Sequence, residues 1–171
     1  MRLTPIALSA AIIFGTMASS GHGQRPDDQV DPRSAALVQQ GQALTASGQY
    51  NEAIDLLESA LVLDPGNRGA YLALGRVAQA QQLPGKALRH YADALRLEPN
   101  DVNALAGQGE AYVQRGAVDR ARQNLVRVRE LCAARACPQA QTLAAAIDRG
   151  PPRAAPVQSA QAPATPPAKS N

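Results

Sequence analysis

A fixed period runs through the middle of this chain. Glycine recurs at positions 41, 75 and 109, and alanine recurs at 53, 87 and 121 with the same step. Internal repeats of about 34 residues form arrays of one supersecondary unit, in which each unit packs on its neighbours. We therefore expect three stacked copies of one unit. Further positions keep the same period: Leu37, Tyr71 and Leu105; Leu44, Ala78 and Tyr112; Leu57, Tyr91 and Leu125.

Each unit divides into two helical patterns. In the first unit, Leu37, Gly41 and Leu44 follow the i, i+4, i+7 spacing of one helical face. A turn at 46–50 leads to a second apolar stripe, which ends at Pro65 because proline cannot continue the hydrogen-bond ladder. A glycine inside a helix costs about 1 kcal/mol relative to alanine, so we expect Gly41 where the two helices approach most closely. Only 3% of residues are aromatic and tryptophan is absent, which argues against an all-β fold.

This helix-turn-helix pattern resembles the tetratricopeptide repeat (TPR) family over residues 34–133. The resemblance implies an all-α, right-handed superhelix with repeats at 34–67, 68–101 and 102–137. The third repeat departs from the family pattern, because Val128 stands where alanine is usual and no proline follows its second helix. Pro138 opens one more helix at 138–149, which we expect to cap the last repeat. The small-residue positions of the family fall on Gly41, Ala53, Ala60, Gly75, Ala87, Ala94, Gly109 and Ala121.

The two ends of the chain differ from the repeats. Arg2 precedes an apolar run at 5–18 that is short for a membrane span, which takes about 17–25 residues. This pattern predicts a secretory signal peptide at 1–23, cleaved after Ser20 or Gly23, with an uncleaved anchor or a buried helix as the alternative. The protein is then exported, to the periplasm or beyond. A polar lead-in follows at 24–33, and the Pro/Ala-rich segment at 150–171 is predicted to be disordered.

The two cysteines and the charge balance bear on chemistry. In an oxidising compartment Cys132 and Cys137 are expected to form a disulfide, which requires the helix to break between them. A redox-active pair is the alternative, although the spacing is not Cys-x-x-Cys. Without Arg2 the exported chain carries 16 basic and 14 acidic residues. Its arginine-rich third repeat is interpreted as a solvated surface, and no nucleic acid is expected as a partner. The arginines are Arg115, Arg120, Arg122, Arg127, Arg129 and Arg135.

No catalytic constellation stands out. His90 has no serine or cysteine in register, and paired carboxylates and phosphate-binding glycine loops are missing. We therefore expect a non-enzyme with no cofactor, no metal and no small-molecule substrate. After removal of the signal, no segment of the sequence is expected to span a membrane.

In the TPR family, the first helices of successive repeats line a concave groove that receives a peptide. The family's chaperone-binding members clamp a terminal carboxylate with several cationic and amide side chains. Here the groove offers only Arg76, with Glu110 expected to neutralise it, so that activity is not predicted. The resemblance implies a peptide-binding scaffold of the bacterial envelope; a structural or self-assembling envelope component is the alternative, and a thiol-redox role a third. The predicted groove residues are Val38, Gln42, Thr45, Leu72, Arg76, Gln79, Ala106, Glu110 and Val113.

Overall fold

The computed structural model describes residues 29–133 and 136–152. The predicted signal peptide, the first half of the predicted lead-in and most of the Pro/Ala-rich tail lie outside these residues, as does Arg135. The described residues form seven α-helices and no strand. These are α1 (Pro32–Ala46), α2 (Tyr50–Leu63), α3 (Arg68–Ala80), α4 (Pro84–Leu97), α5 (Val102–Gln114), α6 (Val118–Cys132) and α7 (Pro138–Arg149).

The helices pair as the repeat pattern predicts. Within each repeat the two helices pack together, as α1 with α2, α3 with α4 and α5 with α6. The second helix of each repeat also contacts the helix that follows it, as α2 with α3, α4 with α5 and α6 with α7. Contacts also join α1 to α3, α3 to α5 and α5 to α7. The predicted all-α superhelix of three helix pairs and a terminal helix is confirmed. No helix among the described residues has the length and apolarity needed to cross a bilayer.

A polar residue begins the first helix of each repeat. Asp31, Asn67 and Asp101 are buried and cap α1, α3 and α5, each accepting a hydrogen bond from a backbone N–H of the first turn. Such caps contribute about 1 kcal/mol each because they satisfy donors that the helix leaves unpaired. The cap of α5 also ties two repeats together, since Arg68 of α3 forms an ion pair with Asp101.

The recurring glycines allow side chains to approach a helix backbone. A Cβ atom at Gly41 would lie 2.8 Å from Cγ of Leu57, and one at Gly75 would lie 2.6 Å from the ring of Tyr91. In these two repeats the close approach joins the helices of one unit, as predicted. The third repeat differs, because a Cβ atom at Gly109 would first meet Leu143 of α7, at 2.7 Å. Leu143 follows Gly109 by the same step that separates Gly109 from Gly75, so α7 packs in the register of a fourth first helix.

The end of the third repeat is joined to α7 by the cysteines. The helix breaks after Cys132, and Cys137 directly precedes α7. The two residues form a disulfide with their Cα atoms 5.9 Å apart, as the sequence predicted. Behind this link, Leu143 and Ala140 of α7 are buried against Leu125 and Val128 of α6. The terminal helix therefore covers apolar surface that the third repeat would otherwise expose.

Candidate functional site

A pocket of about 370 Å³ opens between the first helices of the second and third repeats and the N-terminal half of α7. Four of the predicted groove residues line it, namely Arg76, Gln79, Ala106 and Glu110. The lining is mostly polar, with guanidinium, carboxylate, amide and hydroxyl groups. Its other members are Tyr91, Asn103, Gly107, Pro138, Gln139 and Thr142.

The second helix of the second repeat contributes a tyrosine to the pocket lining. Tyr91 belongs to α4, and its ring is buried between Gly75 of α3 and Gly107 of α5. The Tyr91 hydroxyl donates a hydrogen bond to Oε1 of Gln79, with an O–O distance of 2.5 Å. Burial raises the pKa of Tyr91, and the nearby Arg76 acts in the opposite direction. The hydroxyl therefore stays protonated and orients the Gln79 amide at the pocket.

Glu110 is a half-buried carboxylate beside this amide. Burial raises the pKa of Glu110, while the charge of Arg149 and a hydrogen bond with Gln79 act to lower it. The sequence predicted that Glu110 would neutralise Arg76, and the structure places both residues in the lining of the same pocket. Both side chains are described and no ion pair joins them; the cation that acts on Glu110 comes instead from the last turn of α7. Arg76 is exposed and keeps its donors available.

The contribution of α7 to the pocket was missed by the sequence analysis, which assigned this helix to capping. Pro138, Gln139 and Thr142 form one wall. Nε2 of Gln139 donates a hydrogen bond to Oδ1 of Asn103, 3.0 Å away, which links the wall to α5. The spacing between Gly109 and Leu143, which equals one period of the repeat, is the signal that could have placed α7 beside α5.

The other five predicted groove residues lie outside the pocket lining. Val38 and Leu72 are 7% exposed and Val113 is 4% exposed, and all three pack in the apolar core. On α1, Gln42 is exposed, and the half-buried Thr45 donates its hydroxyl hydrogen bond to the carbonyl oxygen of Gly41 in its own helix. The pocket thus draws on the second repeat, the third repeat and α7.

The polar side chains of this pocket can both donate and accept hydrogen bonds. Arg76 and the amides of Gln79, Asn103 and Gln139 can donate hydrogen bonds, whereas Glu110 and the amide oxygens can accept them. Such a set matches the alternating N–H and C=O groups of a peptide backbone. Among the described residues, no group of three or more His, Cys, Asp or Glu side chains is placed to hold a metal ion.

Comparison with known proteins places the chain in a family. A family model described as "TPR repeat" matches residues 41–82, and one described as "Tetratricopeptide repeat" matches residues 72–140. Over 92 residues the chain is 29% identical to DnaJ homolog subfamily C member 3 of Bos taurus. That match covers 52% of the chain but only 18% of the bovine protein, so the chain spans less than a fifth of that relative's length.

Solved structures share the fold at low sequence identity. The Sgt2 TPR domain from Aspergillus fumigatus superposes with a TM-score of 0.65 at 22% identity, covering 74% of this chain and 83% of that one. The type III secretion translocator chaperone SycD of Yersinia enterocolitica gives 0.63 at 20% identity, covering 70% and 94%. The first TPR of Spaghetti (RPAP3), solved with a bound HSP90 peptide, gives 0.61 at 20% identity, covering 68% and 91%. The repeat period, the helix pairs and the two family matches, which together span residues 41–140, agree. The chain belongs to the tetratricopeptide repeat family.

Proposed function

We propose that this protein is a non-catalytic scaffold that binds a peptide segment of a partner protein in the pocket between α3, α5 and α7. The observation that carries the proposal is the polar lining of that pocket, in which Arg76, Gln79 and Asn103 offer donors to an extended chain. The Spaghetti TPR, which shares the fold, is a protein solved with a peptide bound. That likeness supports a peptide as the class of ligand.

The pocket favours a segment that engages through its backbone. Arg76 is a single exposed cation, and the half-buried Glu110 places a negative charge in the same pocket. A strongly acidic peptide terminus would be repelled by that carboxylate. A peptide with uncharged side chains would instead form hydrogen bonds between its backbone and the amide side chains of the pocket. Segment recognition of this kind combines main-chain hydrogen bonds for affinity with side-chain contacts for register.

We also propose that the scaffold works outside the cytoplasm, in the bacterial envelope. The N-terminal segment with a charged start, a short apolar run and small residues supports export. The disulfide between Cys132 and Cys137 suits an oxidising compartment. Mass spectrometry of protein recovered from the periplasm is expected to show loss of about 20–23 N-terminal residues. Full-length protein retained in the cytoplasm would contradict export.

Site-specific photocrosslinking tests the pocket. A benzoylphenylalanine placed at position 103, an exposed site in the pocket lining, is expected to crosslink a partner in living cells. The same group at position 126, an exposed site on α6 that is absent from the lining, serves as the matched control. Peptide mapping of the adduct identifies the bound segment.

Substitution of the lining then tests the contacts. Arg76→Ala with Asn103→Ala is expected to abolish the adduct formed from a third lining position, Gln139. Gln42→Ala on α1 is the control, because Gln42 is exposed but lies outside the pocket. Crosslinking that is equal at positions 103 and 126, or that survives the double substitution, would contradict the proposal.

A further inference from the structure

We propose a second binding surface, separate from the pocket above, at the edge where the turns of the second and third repeats lie. This turn edge is defined by four exposed cations, Lys86, Arg89, Arg115 and Arg120. Its ligand is an acidic segment of a protein. The inference does not depend on the proposed peptide pocket, because none of these four residues lines it.

The first part of the turn edge is a recess of about 240 Å³ in the second repeat. Its floor is apolar, formed by Leu74, Val77 and Ala78, which are buried. Lys86 and Arg89 lie at the rim with the half-buried His90. One carboxylate also lines the recess, that of Glu58 from α2. The remaining lining residues are Ile54 and Gln81.

The second part is a recess of about 270 Å³ at the turn of the third repeat. Arg115, Arg120 and Tyr112 surround it, and no carboxylate belongs to its lining. The guanidinium carbon of Arg120 lies over the Tyr112 ring, 5.6 Å from the ring centre. This cation–π contact orients one of the two charged groups. Gly116 and Ala117 complete the lining.

The two recesses lie at equivalent places in successive repeats. Lys86 and Arg120 are one period apart and occupy the same position of the repeat. The first repeat has Glu52 at that position, and it has Asp55 at the position of Arg89. The edge is therefore acidic in the first repeat and basic in the next two, so the basic surface is a local feature and not a property of the repeat pattern.

Helix stability accounts for neither Lys86 nor Arg120. Lys86 and Arg120 are the third residues of α4 and α6, where the positive end of the helix dipole disfavours a positive charge. Glu52, in the first turn of α2, has the favourable sign. Within the part of the chain that the structure describes, none of the four turn-edge cations forms an ion pair with a carboxylate. Bound acidic groups would supply the missing negative charge.

A protein segment fits this surface better than a flat anionic layer does. The cations stand around concave recesses, one with an aliphatic floor and one with an aromatic ring. A peptide with apolar residues among its glutamates or aspartates could place side chains in both recesses. Each exposed charge pair contributes little alone, so binding through four cations should be weak per contact and sensitive to salt.

Fluorescence anisotropy with labelled acidic peptides tests the proposal. The probes are hexaglutamate and an alternating Glu-Leu peptide, with hexalysine as the negative control. Lys86→Gln with Arg115→Gln and Arg120→Gln is expected to weaken binding at least about tenfold. The control variant Arg96→Gln with Arg127→Gln and Arg129→Gln removes the same amount of charge from α4 and α6. Arg96 lies about 15 Å along α4 from Lys86 at a rise of 1.5 Å per residue.

The outcomes are distinct. A loss confined to the turn-edge variant, with the Glu-Leu peptide binding more tightly than hexaglutamate, supports the proposal. Equal losses in both variants would show an effect of net charge and overturn it, as would no binding at low salt. If sedimentation shows that the wild type self-associates at low salt and the turn-edge variant does not, the ligand is the acidic edge of a second copy. Preferential binding to phosphatidylglycerol vesicles would replace the protein segment with a membrane surface.

Discussion

At the scale of single residues, the Tyr91 side chain packs against glycines of two different helices. Its ring is 2% exposed and touches the backbones of α3 and α5 at Gly75 and Gly107. A Cβ atom at Gly107 would lie 2.5 Å from the ring, and one at Gly75 would lie 2.6 Å from it. The ring therefore joins two repeats and delivers its hydroxyl to Gln79.

Gly75→Ala is predicted to destabilise the protein. The added methyl would push the buried ring of Tyr91, and overpacking of a core costs about 1–3 kcal/mol. Gly85→Ala is the matched control, since a Cβ atom there meets nothing within 4 Å, and alanine favours helix by up to about 1 kcal/mol. Urea denaturation should separate the free energies of unfolding of the two variants by at least about 1 kcal/mol. Equal stabilities would show that Tyr91 can move aside.

Glu110→Gln is predicted to stabilise the protein near neutral pH. Burial raises the pKa of Glu110 in the folded state, so the folded protein holds this proton more tightly than the unfolded chain. Stability is then lost as pH rises from the ordinary carboxyl pKa of about 4.3 through the folded value. The stability gained by Glu110→Gln should be larger at pH 7 than at pH 3.5, both measured by urea denaturation. Glu130→Gln, on an exposed residue of α6, is the control. A gain that is the same at both pH values would contradict the burial effect.

At the scale of helices, α7 behaves as an added first helix. Leu143 is fully buried and fills the space above Gly109, as a helix of a fourth repeat would. The same helix supplies the Gln139 wall of the pocket and the Arg149 charge near Glu110. One packing contact therefore positions both the cap of the superhelix and part of the candidate site.

A double-mutant cycle between Gly109 and Leu143 measures this contact. Leu143→Ala should cost about 2–5 kcal/mol because it leaves a cavity, and Gly109→Ala should destabilise by placing a methyl 2.7 Å from Leu143. Combined, the alanine methyl enters the space that leucine vacates. The double variant should therefore be more stable than the sum of the two losses by about 0.5–3 kcal/mol. Additive losses would mean that the two positions do not meet.

At the scale of the whole molecule, the chain is a linear stack with different ends. The first repeat lies at one end of the described residues, and the other end is covered by α7 and held by the disulfide. In such stacks each unit contacts only its neighbours, so a local loss is felt mainly nearby.

Cys132→Ser with Cys137→Ser is predicted to lower the free energy of unfolding by about 2 kcal/mol, the loop-closure value for so short a loop. The loss of hydrogen-exchange protection should be concentrated in α6 and α7 and should be small in α1 and α2. The variant Ser59→Ala, at an exposed site on α2, is the control for differences in sample preparation and exchange conditions. Uniform loss of protection along the chain would contradict the nearest-neighbour picture.

The helical repeat and its packing glycines could be predicted from the sequence because they depend on periodicity. Gly41 and Gly75 recur with a fixed step, and the side chains they meet belong to the same unit. A contact inside one repeat is set by local geometry and copied by the repeat. Likewise Pro138 and the paired cysteines indicated a helix break that needs only the local chain.

The candidate site required the tertiary structure, because the repeat period does not specify which polar side chains meet across two packed helices. Arg149 acts on Glu110, and Gln139 bonds Asn103, only because α7 docks beside α5. Val38 and Leu72 share a stripe with the groove positions, yet the neighbouring helices bury them. The sequence alone determined which residues repeat and which helices they form. The packing of neighbouring helices, including α7 on the last repeat, decided which of those residues line the pocket, since exposure depends on what lies across each helix and not on its spacing.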